Sequence, residues 1–125
     1  MRLLADSHVL IWWVDNPAQL TPAARAAIAD PENEVFMSAA SLWEIGLKVA
    51  KGKLRVPANF AQVLRTGGFA DLPVHARHAE RAIGLPAVHG DPFDRMLVAQ
   101  AIEEGLTLVS CDQWIAAYGV RQIVA

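Results

Sequence analysis

The chain has 125 residues, 54% of them hydrophobic and 19% charged, enough apolar material for a real core and far from the profile of a disordered segment. Its formal net charge is −2, so the overall field does not attract nucleic acid and any polyanion must be drawn by local features. A single cysteine, Cys111, cannot form an internal disulfide, and no apolar run approaches the ~20 residues that cross a bilayer. The opening stretch is too short, and interrupted too early by Asp6, to be a signal peptide. The expectation is one domain over 1–125, no membrane association and a reducing, cytoplasmic setting.

In chain order, Arg2 to Ala5 reads as a buried strand, with an apolar helical turn or two after Asp6 through Val14. Thr21-Pro22 starts an Ala-rich helix to about Ala29, pairing an N-cap hydroxyl with proline at the first helical position. Val35 to Met37 is a short strand. Ser38 or Ser41 caps the next helix, which ends at Gly52. Pro57 opens a helix towards Arg65 that Gly67-Gly68 closes, and Phe69 to Val74 is a strand or extended segment. Helices are then expected from about Ala76 to Ile83 and from Asp91-Pro92 to Glu104, the second stopped by Gly105. Leu106 to Val109 is a strand, Gln113 to Ala117 a short helix, and Val120 to Val124 a last strand. Short apolar strands alternating with helices predict an α/β sandwich with a mainly parallel sheet. Sites in such sheets gather outside the carboxyl ends of the strands, where Asp6 and Asp112 fall.

Each acid also has a local explanation. Asp91 is a good N-cap before Pro92, Asp94 suits the first helical turn, Glu44 could form a capping box with Ser41, and Asp112 could cap the final helix. Their settings point further. Asp6 sits in Leu-Leu-Ala-Asp-Ser-His-Val-Leu, Glu44 between Trp43 and Ile45 on a mostly buried helix, and Asp94 ahead of Met-Leu-Val-Ala. Buried carboxylates are paired, protonated or bound to a cation. No lysine in these segments is an obvious neutraliser, so a hard divalent ion, Mg²⁺ or Mn²⁺, is the natural one. Zinc is disfavoured, because His8, His75, His78, His89 and Cys111 show no ligand spacing. His75 and His78 read as a partly exposed surface pair. Lys48, Lys51, Lys53 and Arg55 form either a phosphate-contacting ridge or a solvated helix end.

On these residues the chain resembles the PIN-domain family, specifically its VapC-type toxins. Leu3-Leu4-Ala5-Asp6-Ser7-His8 is similar to the family's opening strand, and Ser38-Ala39-Ala40-Ser41-Leu42-Trp43-Glu44-Ile45 to its second motif. His89-Gly90-Asp91-Pro92-Phe93-Asp94-Arg95 resembles the third motif of one subgroup. Leu108-Val109-Ser110-Cys111-Asp112 resembles the fourth, with Ser110 where the family often has threonine. The resemblance implies a three-layer α/β/α sandwich around about five parallel strands, with Asp6, Glu44, Asp94 and Asp112 converging at its carboxyl edge. It also implies Mg²⁺- or Mn²⁺-dependent endonuclease action on RNA and an inhibitory antitoxin partner.

In that scheme Asp6, Asp94 and Asp112 hold one or two ions, with Glu44 nearby as ligand or water-orienting group. Ser7 either supports the site through its hydroxyl or caps the following turn. Arg95 either contacts RNA phosphate or locks the carboxylates, with the structural role favoured, and Asp91 is first an N-cap. Trp12, Trp13 and Trp43 serve either the core or a partner surface, whether antitoxin or a second copy in a homodimer. A phosphatase would want a second Asp where His8 stands, and a phospho-acceptor domain a paired acid near the first strand and a lysine after the last. A non-catalytic regulator of the same fold should have lost an acid, and a free-standing nuclease would lack the antitoxin.

Overall fold

The computed structural model describes residues 1–88 and 90–125. Five strands, β1 (Arg2–Ala5), β2 (Glu34–Ser38), β3 (Ala70–Leu72), β4 (Thr107–Ser110) and β5 (Gln122–Val124), pair in the order β3-β2-β1-β4-β5. Every pairing is parallel. The chain builds outward from β1 to β3, then returns across the sheet to lay β4 on the other side of β1. The strand order therefore reverses between β1 and β4, where an open parallel sheet has its crevice.

Six α-helices cover the faces: α1 (Ser7–Asp15), α2 (Pro22–Ala29), α3 (Ala39–Ala50), α4 (Phe60–Thr66), α5 (Ala76–Ile83) and α6 (Pro92–Glu104). The period-two alternation of the strands divides the core in two. Leu3, Ala5, Val35, Met37 and Val109 face one layer with residues of α1 to α4, while Leu4 and Leu108 face the other with Leu97, Val98 and Ala101 of α6. Leu3, Leu4 and Leu108 are fully buried, each contributing about 1.5–3 kcal/mol of hydrophobic stabilisation. No helix among the described residues is long and apolar enough to cross a membrane.

The sequence expectations hold for β1 and β4, the two strands that flank the reversal, and for α2, α5 and α6. Gly105 ends α6 in the left-handed region at φ 66°, a conformation that a side chain disfavours. Two expectations shift, and the structure decides one open choice. The helix expected from Pro57 starts at Phe60, because residues 58–59 form a turn closed by the Phe60 N–H on the Pro57 carbonyl. β3 and β5 are shorter than the apolar runs that suggested them. Ser38, not Ser41, caps α3: its Oγ accepts the Ala40 N–H at 3.0 Å, which leaves Ser41 inside the first turns and unable to form a capping box with Glu44.

Candidate active site

β1 delivers Asp6 directly to the reversal point. The Asp6 N–H bonds the Val109 carbonyl of β4 at 3.1 Å, and its Oδ1 caps α1 by accepting the Val9 N–H at 2.9 Å. The side chain is only 5% exposed. Burial is the main reason its carboxyl is held above the ordinary aspartate value; the Ser110 hydroxyl, the Val9 N–H and His8 favour the anion, and the charge of Glu44 opposes it. Asp112 follows β4 on the other side of the reversal and caps a 3₁₀ turn over Gln113–Tyr118, accepting the Trp114 N–H at 2.9 Å. Its own N–H is held by Ser110 Oγ at 3.0 Å, so one serine hydroxyl serves both acids. Asp94 lies in the first turn of α6, which Asp91 caps through the Phe93 N–H at 2.9 Å. Burial raises the pKa of the Cys111 thiol, and the charges of Asp6, Asp112 and Asp94, all near enough to act on it, raise it further.

Glu44 reaches the same region from the middle of α3 and is 8% exposed. Its Oε1 accepts the Ser7 hydroxyl at 2.5 Å, so consecutive residues at the β1–α1 junction supply a carboxyl and the group that fixes a second one. Its Oε2 lies 3.6 Å from Lys48 Nζ. The expectation that no lysine neutralises these acids is therefore corrected: Lys48 stands one helical turn beyond Glu44, an i, i+4 spacing readable in the sequence.

The donor set fits a hard divalent cation in chemistry, since it consists of carboxylates, one of them buried at a cost to its charged form. Ser41 Oγ, one turn before Glu44, is buried without a hydrogen-bond partner among the described residues. Among those residues no set of three or more His, Cys, Asp or Glu side chains is arranged to hold one ion directly, so the carboxylates as placed would share an ion through water or after small rotamer changes.

The supporting residues separate. Ser7 is buried on Glu44 as described. Arg95 donates to the carbonyls of Pro86, Ala82 and Leu85 at 2.8–3.0 Å, tying the end of α5 and the loop after it to α6. Its structural role is thus carried by carbonyls. His78 departs from the expected exposed pair: it is fully buried, its Nδ1 accepts the His75 N–H at 2.9 Å, and its Nε2 lies 2.9 Å from Glu104 Oε1. Both ring nitrogens are satisfied, which is why it can be buried. His89, first residue of the third motif, lies outside the described residues. Trp43, expected on a mostly buried helix, is 65% exposed, and Trp12 and Trp13 are partly buried against the core. Sequence reading missed one structural link, Ser38 Oγ to Gln100 Oε1 at 2.6 Å with Gln100 Nε2 on the Pro73 carbonyl at 3.2 Å. It joins β2 and α6 beneath the site, and a glutamine in an apolar helix stretch was its signal.

Beside the acids runs a groove of about 470 Å³ walled by Glu44, Asp91, Lys48, Lys51 and Lys53. Three of the four cations of the sequence cluster therefore border the site.

Fold and geometry together define an open parallel α/β domain with carboxylates gathered at the switch point of its sheet. The PIN domain model matches residues 3–120, and the chain belongs to the PIN domain family. It is 32% identical over 124 residues to Ribonuclease VapC22 of Mycobacterium tuberculosis, covering 93% of this chain and 91% of that protein. Among solved structures it resembles VapBC2 from Rickettsia felis bound to a promoter DNA fragment, with a TM-score of 0.75 at 12% identity, covering 99% of this chain and 98% of that one. It also resembles DNA-bound VapBC from Salmonella typhimurium, with a TM-score of 0.73 at 16% identity over 99% and 98% of the two chains.

Proposed function

We propose that this chain is the endoribonuclease toxin of a toxin–antitoxin pair, hydrolysing RNA phosphodiester bonds with Mg²⁺ or Mn²⁺ in the cytoplasm. What supports it is the placement of Asp6 and Asp112 at the carboxyl ends of the neighbouring strands β1 and β4, with Glu44 tied to the same junction through Ser7, in a chain similar along its length to a ribonuclease. Asp6, Asp94 and Asp112 would hold the cation. Bound there, it supplies positive charge for the scissile phosphate and a more acidic water. The residues do the rest. Ser7 fixes Glu44 Oε1 so that the carboxylate keeps one orientation towards the attacking water. Lys48 holds the other oxygen and balances its charge. Ser110 sets the spacing of Asp6 and Asp112. An antitoxin partner follows from the VapBC complexes the fold resembles, and a homodimer is part of the same reading.

The test is Asp94→Asn, which keeps the shape and removes the charge. Incubated with total RNA and Mn²⁺ or Mg²⁺, the wild-type protein should cut at mapped sites, and the variant should not while retaining its circular dichroism spectrum. Full activity in the variant would sink the assignment. A short reading frame directly upstream, encoding a DNA-binding protein that blocks cleavage, is the expected companion.

A further inference from the structure

Trp43 exposes 65% of its surface on α3, close to the acids, and the site described above gives it no role. Its ring is held edge-on by Phe93 of α6 at 5.5 Å between centroids. Together with Val74 and Met96 these rings wall an apolar hollow of about 620 Å³. Pro92 and Phe93 line both this hollow and the lysine groove, so the two adjoin. Along α3, Trp43, Leu47 and Lys51 follow at i, i+4 and i+8 and share a face. Lys51 and Lys53 are exposed and form no ion pair among the described residues, whereas Lys48 is turned to Glu44.

The sequence of chemistries is thus an aromatic face, then cations, bordering carboxylates at the reaction centre. Proteins that bind single strands combine aromatic rings on which bases stack with cations that track the phosphates. A base offers a π-face to Trp43 only when unpaired. Trp43 and Lys51 are about 12 Å apart along the helix axis, a span that a few neighbouring nucleotides can cover. Glu44 and Asp91 on the groove wall repel phosphate and leave the lysine side as its path. In a chain of net charge −2, this ridge is the local attraction that a polyanion needs.

We propose that Trp43, Lys51 and Lys53 form a binding track for single-stranded RNA, in which an unpaired base stacks on Trp43 and the neighbouring phosphates lie against the two lysines. The track rests on the ribonuclease reading and adds to it the residues that grip the strand.

The test measures binding by fluorescence anisotropy in the Asp94→Asn protein, where the strand survives. The probes are a labelled single-stranded RNA of about twelve nucleotides and an abasic strand of the same length. Adding Trp43→Ala should weaken binding of the base-bearing strand by about tenfold to a hundredfold and leave the abasic strand unchanged. Trp43→Phe should recover most of the loss. Lys51→Gln with Lys53→Gln should weaken both strands and lower the slope of log affinity against log salt by about 1.4. Equal affinity of the Trp43→Ala and parent proteins for the base-bearing strand overturns the proposal. So does a change of molecular mass by light scattering at unchanged RNA affinity, which assigns Trp43 to a protein interface. If Asp94→Asn still cuts RNA, the ribonuclease reading fails. If it is inactive and binds RNA without regard to Trp43, only the track fails.

Discussion

Asp6→Asn separates the needs of the site from those of the fold. Asp6 is buried, and its carboxyl is held above the ordinary value chiefly by desolvation. A folded-state pKa above the unfolded one means that ionisation weakens the fold as pH rises through that interval, and the penalty is complete once pH passes the folded value. Asparagine keeps the carbonyl-type oxygen that accepts the Val9 N–H and removes the charge that Glu44 repels. Stabilising changes of this kind are typically worth about 0.5–2 kcal/mol. A chain of 125 residues unfolds with an entropy of about 0.26 kcal/mol/K, so the melting temperature in EDTA at pH 7.5 should rise by about 2–8 °C. Mg²⁺ should then raise the wild-type melting temperature clearly more than that of the variant, which lacks one of the three carboxylates proposed to hold the ion. Differential scanning calorimetry with and without Mg²⁺ reads both effects. A variant less stable than wild type in EDTA, or equally stabilised by Mg²⁺, would refute the account of Asp6 as a charge kept at the fold's expense.

Ser7→Ala removes the hydroxyl on Glu44 Oε1 and leaves the α1 cap in place. Turnover should fall about tenfold to a hundredfold, with Ser7→Thr retaining most of it, and steady-state cleavage of a labelled RNA would show whether kcat carries the loss. Glu104 is held below the ordinary glutamate range, first by the hydrogen bond from His78 and then by Arg77. The stability it adds is present above the unfolded glutamate pKa and lost as pH falls through the lower folded value. Urea titrations at falling pH should show this acid-side loss in wild type and a shallower one in Glu104→Gln. Gln100→Leu should cost about 2–4 kcal/mol in urea denaturation, because it leaves the buried Ser38 hydroxyl and the Pro73 carbonyl without Gln100.

The alternation of apolar runs and helix signals was enough for the parallel sheet, because both faces of its strands are buried and the runs are short and unbroken. Thr21-Pro22, Asp91-Pro92 and Gly105 marked helix ends accurately, since each acts through its own backbone geometry. Pro57 misled for a related reason: proline is compatible with a first helical turn and equally with the turn that precedes Phe60 here. What pattern could not give was which side of a helix met a neighbour. Trp43 looked internal between Leu42 and Glu44, yet α3 turns it outward while Glu44 and Ile45 go in. His78 looked external because its partner, Glu104, is 26 residues away on another helix.

The local and functional readings of the acids are compatible. Asp6, Asp94 and Asp112 all stand at N-terminal ends of helical segments, and Asp6 and Asp112 accept backbone N–H groups there. A parallel sheet makes such ends gather, since each strand leaves its carboxyl edge into the following connection. Free N–H groups and the positive ends of helix dipoles stabilise the anions, so the fold tolerates several carboxylates at one edge before any cation arrives. Glu44 is the exception. It projects from mid-helix, receives no such help, and is the acid that needs a hydroxyl and a lysine of its own. Capping is therefore how Asp6 and Asp112 persist in an apolar setting, while Asp94 relies on the first-turn dipole of α6. Only at Asp6 does burial outweigh the cap, so removing the charge there should strengthen the fold and disable the site.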